Sequence, residues 1–348
     1  MPSRKHRKAY HPLPPAPALP TFGTIPIIPH SLPIVFRLSR PRTWVFPSIS
    51  FLLGYSLSGW GPLSQVGLGL AVACLVTAAT NLVNAYADRR EDAVNQPSRV
   101  FWIERIGPKG ALSSSTILYG SALALSIYLG PFFILVLCLG IFNSIFYSMP
   151  PLRFKARPFP SLISFSGAVG LAFLSGLAVH GSLDVFNPLL WLATYFMLTY
   201  GTVKNLPDYS GDKKAGTRTS ATIFQNIKSA ARFSGVLLFT PYILLVTMVA
   251  AARLPSLYLL DLGLALILAL ILVMMWKAKS SEDFEKTHTF GFFYAISFLL
   301  FTLVLTSPTL ESIAVMIAAY VWTLLVSKVN VDSRVESRDW EKTRGRKL

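Results

Sequence analysis

Asn84-Ala-Tyr-Ala-Asp88-Arg-Arg-Glu-Asp92 places an amide and two carboxylates where a long apolar run ends. On an α-helix, positions four apart are offset by roughly 40° and rise about 6 Å, so Asn84, Asp88 and Asp92 form one polar stripe. Oxygen donors stacked at a helix end make a cradle for a divalent cation. Lys204-Asn-Leu-Pro-Asp208-Tyr-Ser-Gly-Asp212 repeats the arrangement, with Asp208 and Asp212 at the same spacing just past another apolar run. Each stretch needs a long apolar helix in front of it, and the rest of the chain supplies more of the same kind.

Hydrophobic residues make up 53% of the 348 and charged residues 14%, with a mean hydropathy of +0.52. This composition is that of an integral membrane protein rather than a soluble domain. Apolar stretches fall at about 44–60, 65–84, 113–129, 131–147, 160–181, 188–204, 230–252, 256–276, 289–306 and 309–327, each near the length that crosses a bilayer core. The expectation is an all-α fold, a polytopic membrane bundle of nine to ten transmembrane helices, nine if the last stretch is interfacial. Residues 1–43 read as a disordered, basic, Pro-rich tail with an interfacial segment near 25–36, residues 44–327 as the bundle, and 328–348 as a basic C-terminal tail. Cys74 and Cys138 fall inside apolar stretches, where a thiol acts as a small hydrophobe and implies no disulfide framework.

The loops alternate in charge. Those near 61–64, 130–131, 180–188, 253–255 and 306–308 are short and nearly uncharged, while the tails and the other loops hold every Lys and Arg of the 32 except Arg253. By the positive-inside rule both termini and the basic loops lie on the cytoplasmic side. The net charge of +16 therefore belongs to a membrane surface, which argues against nucleic acid as a partner. The acidic stretches follow the second and sixth expected helices, and Tyr147-Ser-Met-Pro-Pro-Leu-Arg153-Phe-Lys155 follows the fourth. Parity brings all three to one face. The offset between the acidic stretches suggests a weak internal repeat in which Lys204 stands at the counterpart of Asn84.

Carboxylates at the edge of a bilayer core are costly unless paired, hydrated or metal-bound. Oxygen-only donors favour Mg²⁺ over zinc or iron. His180 and His288 have no second ligand at a useful spacing and read as interfacial loop residues. Arg153 and Lys155 follow the rigid Pro150-Pro151 turn, and Lys204 precedes Asp208 by one helical turn. Cations there would offset the charge of pyrophosphate oxygens, an argument that extends less strongly to Arg218. Arg157 reads as an interfacial anchor, and Arg40 either as an anchor or as a contact for an acceptor's polar group.

Together these pieces resemble the UbiA-type intramembrane prenyltransferases. The matching residues are Asn84-x-x-x-Asp88-x-x-x-Asp92 with Asn95-x-Pro97-x-Arg99, Tyr147-Ser-x-Pro-Pro-x-Arg153-x-Lys155, and Lys204-x-x-Pro-Asp208-x-x-Gly-Asp212-x-x-x-Gly216-x-x-Thr219. Ser39-Arg-Pro-Arg-Thr-Trp44 is also similar, so the likeness runs from residue 39 to about 225. It implies a bundle of about nine helices around a central cavity that opens to the cytoplasmic face and laterally to lipid. It further implies that Asn84, Asp88, Asp92, Asp208 and Asp212 hold Mg²⁺ and pyrophosphate, the four aspartates being catalytic. Arg99, Tyr147, Arg153, Lys155 and Lys204 would join Asn84 in binding substrate.

The reaction implied is Mg²⁺-dependent transfer of a prenyl group from an allylic prenyl pyrophosphate to a small hydrophobic acceptor, aromatic by expectation, within the lipid bilayer. Three departures bear on the acceptor: Ala85 beside the first Asn, Asn205 after the lysine, and Val-Phe-Trp-Ile-Glu after Arg99. They keep open a terpene cyclase that ionises the same donor without an acceptor. A transporter or non-catalytic scaffold is the further rival, and it predicts indifference to loss of Asp88 or Asp208.

Overall fold

All ten apolar stretches are helical in the computed structural model of the chain, which describes residues 32–328. The helices are α1 (Leu32–Leu38), α2 (Val45–Ser56), α3 (Leu63–Ala87), α4 (Arg89–Asn95), α5 (Pro97–Ile106), α6 (Pro108–Ser126), α7 (Pro131–Ser148), α8 (Pro158–Val179), α9 (Pro188–Lys204), α10 (Tyr209–Ala215), α11 (Ile227–Ala250), α12 (Ala265–Lys277), α13 (Ser281–Thr306) and α14 (Leu310–Lys328). There is no strand among the described residues. Helices α5 to α9 each begin with proline, whose missing N–H costs nothing in the first turn. Of the expected tails, 1–43 and 328–348, residues 1–31 and 329–348 lie outside the described residues, while 32–43 form α1 and the start of the turn Pro41–Trp44 rather than a disordered tail.

Eight of these helices are long and apolar enough to cross a membrane, α12 being counted with the 3₁₀ segment Ser256–Leu264 that leads into it. The protein is a multi-pass membrane bundle. Helices α2 and α9 fall short, at 12 and 17 residues, or roughly 18 and 26 Å at 1.5 Å per residue. Both lie in the interior. Ten of the residues of α2 and eleven of those of α9 are buried, so neither has to match the lipid thickness by itself. The first expected helix, 44–60, therefore ends early, ahead of Gly59, which takes φ +87°.

Close packing of α2 on α8 depends on two glycines. A Cβ on Gly54 would run into the carbonyl oxygen of Phe173, and one on Gly176 into that of Phe51. Without side chains the two backbones meet directly, as small residues allow between membrane helices.

Three elements differ from the sequence reading. The segment after Asp88 forms α4 and α5 instead of a loop. A short helix, α10, carries Asp212. Helix α13 starts at Ser281 rather than near 289 because Ser280 and Asp283 form a capping box. That early start corrects the reading of His288 as a loop residue: it is buried on the inner side of α13. At the opposite end of the bundle, His180 follows α8 and packs its ring 4.5 Å from that of Tyr55.

The turn Pro41–Trp44 before α2 is clamped from far along the chain. Trp322 of α14 donates its indole N–H to the carbonyl of Pro41 at 3.0 Å, and its ring stacks on Trp44 at 5.9 Å. Trp44 in turn donates to the carbonyl of Ser39 at 3.0 Å.

Candidate active site

Both acidic stretches have the same local build. Asp88 interrupts the helix with φ −98° and ψ 9°. Its N–H still donates to Asn84 at 3.0 Å, and that of Asp92 donates to Asp88 at 2.7 Å. The four-residue stagger thus survives the break between α3 and α4. In the second stretch α9 ends at Lys204, Pro207 supplies no N–H, and the Asp212 amide donates to Asp208 at 2.9 Å at the start of α10. Each arm is a long helix, a break at the acid and a helix of 7 residues. This likeness supports the internal repeat. Helices α4 and α10 pack on one another, so the two arms meet at one end of the bundle.

The α7–α8 connection forms the third side. It turns at Pro150-Pro151 and at Arg153, whose φ of +39° is left-handed. Arg153 reaches Glu91 at 2.7 Å, and the Lys155 ammonium pairs with Asp88 Oδ1. Burial pushes the Lys155 pKa down to about 7, with the charge of Asp212 opposing that shift and the charge of Lys204 adding to it. Lys155 thus pairs with the first arm and feels the charge of the second.

Arg99 of α5 locks the first arm. Its guanidinium donates to Asp92 at 2.9 Å, to Asn84 Oδ1 at 2.8 Å and to the carbonyl of Asn81 at 3.0 Å. Asn84 donates to Ser148 Oγ at 3.0 Å. Lys204 donates to Tyr147 Oη at 3.5 Å, and its ammonium lies 4.5 Å from the centre of the Phe165 ring. Arg157 and Arg218 are exposed.

The structure gathers Asn84, Asp88, Asp92, Arg99, Tyr147, Lys155 and Lys204 into this polar end, with Arg153 joined through Glu91 and Asp208 and Asp212 on the second arm. It does not draw the carboxylates together. No group of three His, Cys, Asp or Glu that could hold a metal occurs among the described residues. The physical reason is charge: Asp88 and Asp92 are buried, and a buried carboxylate requires a partner. Here the partners are Lys155 and Arg99.

Directly below is a cavity of about 260 Å³ whose upper wall includes Asn81, Asn84, Tyr147, Lys204, Tyr200 and His288. Tyr200 and His288 were missed by sequence reasoning. Their rings stack at 6.2 Å, with Tyr200 Oη 3.3 Å from His288 Nε2. Tyr200 lies one helical turn before Lys204, a spacing that was available as a signal. Arg40 and Arg42 also line the cavity, Arg42 with its guanidinium 4.9 Å from the Phe292 ring centre.

A family model described as the UbiA prenyltransferase family matches residues 45–297. A digeranylgeranylglyceryl phosphate synthase of Methanothermobacter thermautotrophicus is 30% identical over 237 residues, covering 68% of this chain and 79% of that protein. A 2-acylphloroglucinol 4-prenyltransferase of Humulus lupulus is 29% identical over 180 residues, 48% of this chain and 43% of that protein. Among solved structures, a UbiA homolog from Archaeoglobus fulgidus bound to GPP and Mg²⁺ superposes with a TM-score of 0.57 at 20% identity, covering 78% of this chain and 99% of that one. An apo UbiA homolog from Aeropyrum pernix K1 gives 0.59 at 15% identity, covering 76% and 98%. The structural likenesses speak to the fold.

Proposed function

We propose that this chain, which belongs to the UbiA prenyltransferase family, transfers a prenyl group from an allylic pyrophosphate to an electron-rich, aromatic acceptor with the help of Mg²⁺. That it is a prenyltransferase follows from its family and relatives. The observation that carries the finer reading is the pairing of Lys155 with Asp88 at the polar end where the two acid arms meet.

Asn84, Asp88, Asp92, Asp208 and Asp212 offer only oxygen donors, a set that fits a hard divalent cation. They are the residues that would hold Mg²⁺, which when bound neutralises pyrophosphate charge. Lys155, Lys204 and Arg153 add positive charge where the leaving group develops its own. The bond between the prenyl C1 and its oxygen breaks, and the electron pair departs with pyrophosphate. Phe165 and Tyr147 flank Lys204, and Phe46 and Phe292 pack at 4.7 Å in the same wall. Such rings stabilise an allylic cation through their faces and exclude water. An acceptor π or lone pair then closes the new bond to C1, and the acceptor loses a proton. Arg40 and Arg42, whose Nε atoms are buried in the chain, are positioned to hold an acceptor's polar group.

The polar mouth belongs on the cytoplasmic side, the reading favoured by the basic loops around it. The name of the 2-acylphloroglucinol 4-prenyltransferase supports prenyl transfer to an aromatic acceptor, and that of the digeranylgeranylglyceryl phosphate synthase supports a prenyl donor with a different acceptor. The test is pyrophosphate release by purified protein in lipid nanodiscs with Mg²⁺ and geranylgeranyl pyrophosphate, with and without a panel of phenols, products being identified by mass spectrometry. Prenylated phenol that vanishes with chelator and in Asp88→Ala and Asp208→Ala is the expected result. A cyclic hydrocarbon or terpene alcohol from donor alone would replace transfer by cyclisation, and full turnover in both variants would remove the site.

A further inference from the structure

Beneath its polar mouth the cavity continues as a channel between α3, α7 and α8. Its lining runs from Asn84 to Gly69 on α3 and from Tyr147 to Phe133 on α7. At about 1.5 Å per residue these walls are roughly 22 and 21 Å long. Ala73, Gly140, Ala168 and Ala172 keep the passage open, and the hydroxyl of Ser175 is turned to the carbonyl of Ala172 at 2.7 Å. The lower channel thus presents an apolar lining, suited to a hydrocarbon tail.

At the far end Phe133 lines the cavity, and further aromatic rings stack behind it. Phe133 meets Phe51 edge-on at 6.4 Å, Phe51 lies 5.7 Å from Tyr55, and Tyr55 lies 6.2 Å from Trp60 and 4.5 Å from His180. Phe51, Tyr55 and Phe133 are fully buried. The stack is pinned at its rim: Tyr55 donates to Gln65 Oε1 at 3.1 Å, and Trp60 donates to Ser307 Oγ at 3.1 Å. Gly69 completes the closure, because any Cβ there would collide with the Phe51 ring.

We propose that this ring stack is a length stop that sets the longest accepted prenyl donor at four isoprene units. The inference rests on the prenyl-transfer reading and specifies its donor. With carbon–carbon bonds of about 1.5 Å, the four chain carbons of an isoprene unit advance roughly 5 Å, so four units fill about 20 Å. Lipid is as apolar as the channel, so moving the tail from bilayer to channel provides little selectivity through burial. Selection comes instead from collision. A fifth unit must push into rings packed at interior density, where overfilling forces side chains out of their rotamers.

The experiment measures binding of S-thiolo pyrophosphate analogues of C10, C15, C20, C25 and C30 prenyl alcohols to the protein in nanodiscs with Mg²⁺. The expected profile is level up to C20 and at least about tenfold weaker at C25. Phe133→Ala should bring C25 back to within about threefold of C20. Ala73→Phe, roughly 16 Å below Asn84 along α3, should move the drop to between C15 and C20. This second variant leaves the ring stack intact, so misfolding of Phe133→Ala does not leave the question open. Wild-type binding of C25 and C30 as tight as C20 would mean that the tail leaves sideways into lipid, and it would overturn the stop. So would a length profile unmoved by Ala73→Phe. Failure of every analogue to bind would bring down the donor reading itself.

Discussion

The two acid-bearing arms share a plan and differ in how they are held. The first is anchored by buried charge: Arg99 ties Asp92 to Asn84 and to the α3 backbone, and Lys155 meets Asp88. In the second, Asp208 and Asp212 are partly exposed. Helix α10 is ended by Gly216 at φ +73° and fastened to the following loop, where Tyr209 Oη donates to the carbonyl of Gln225 at 2.8 Å. Lys213 also donates to that carbonyl. One half of the site is thus held by buried ion pairs, and the other by hydrogen bonds to the following loop together with the packing of Leu206, Tyr209 and Ala221 in the core.

The comparison breaks most readily at the level of activity. Under the proposed mechanism, in which both arms hold one pyrophosphate, Asp92→Ala and Asp208→Ala should each lower pyrophosphate release by roughly 10²–10³-fold; a large loss in only one would end their equivalence. Stability should separate them. Arg99→Met leaves the Asp92 carboxylate buried without its guanidinium and should cost about 3–5 kcal/mol, visible as a fall in Tm. Adding Asp92→Leu should recover most of that loss while leaving activity absent. Tyr209→Phe removes the hydroxyl that donates to the carbonyls of Phe224 and Gln225 and accepts from Lys213, and should cost about 1–2 kcal/mol, with a higher Mg²⁺ half-saturation as the sharper readout. The smallest effect belongs to Arg153→Ala. Its pair with Glu91 is 38% exposed on the arginine side, so stability should change by less than about 1 kcal/mol in thermal melts. A drop in the Tyr209 variant as large as that of Arg99→Met would erase the distinction between the charge-paired arm and the loop-fastened one.

The long helices were legible because each is a continuous apolar run, and the acid arms because four-residue spacing survives a break in the helix. The partners of the acids were less so. That Lys155 would reach Asp88, and Arg99 would reach Asp92, depends on how α5 and the α7–α8 turn fold back, which no local pattern encodes. Helix α5 itself had readable signals, Pro97 at its first position and Gly107 after its last. His288 was misplaced because polarity in Ser281–Thr287 outweighed the capping box that makes the segment helical. The contact of Gly54 and Gly176 with the facing backbones was invisible in sequence, since a glycine carries no sign of what approaches it.

The bond from Trp322 to Pro41 joins positions 281 residues apart, and the turn it holds brings Arg40 and Arg42 to the cavity wall. A ribosome must therefore have delivered nearly the whole bundle before that wall can be secured. Quality control is in this sense written into the topology: a half-synthesised protein lacks the clasp that holds this turn at the cavity wall.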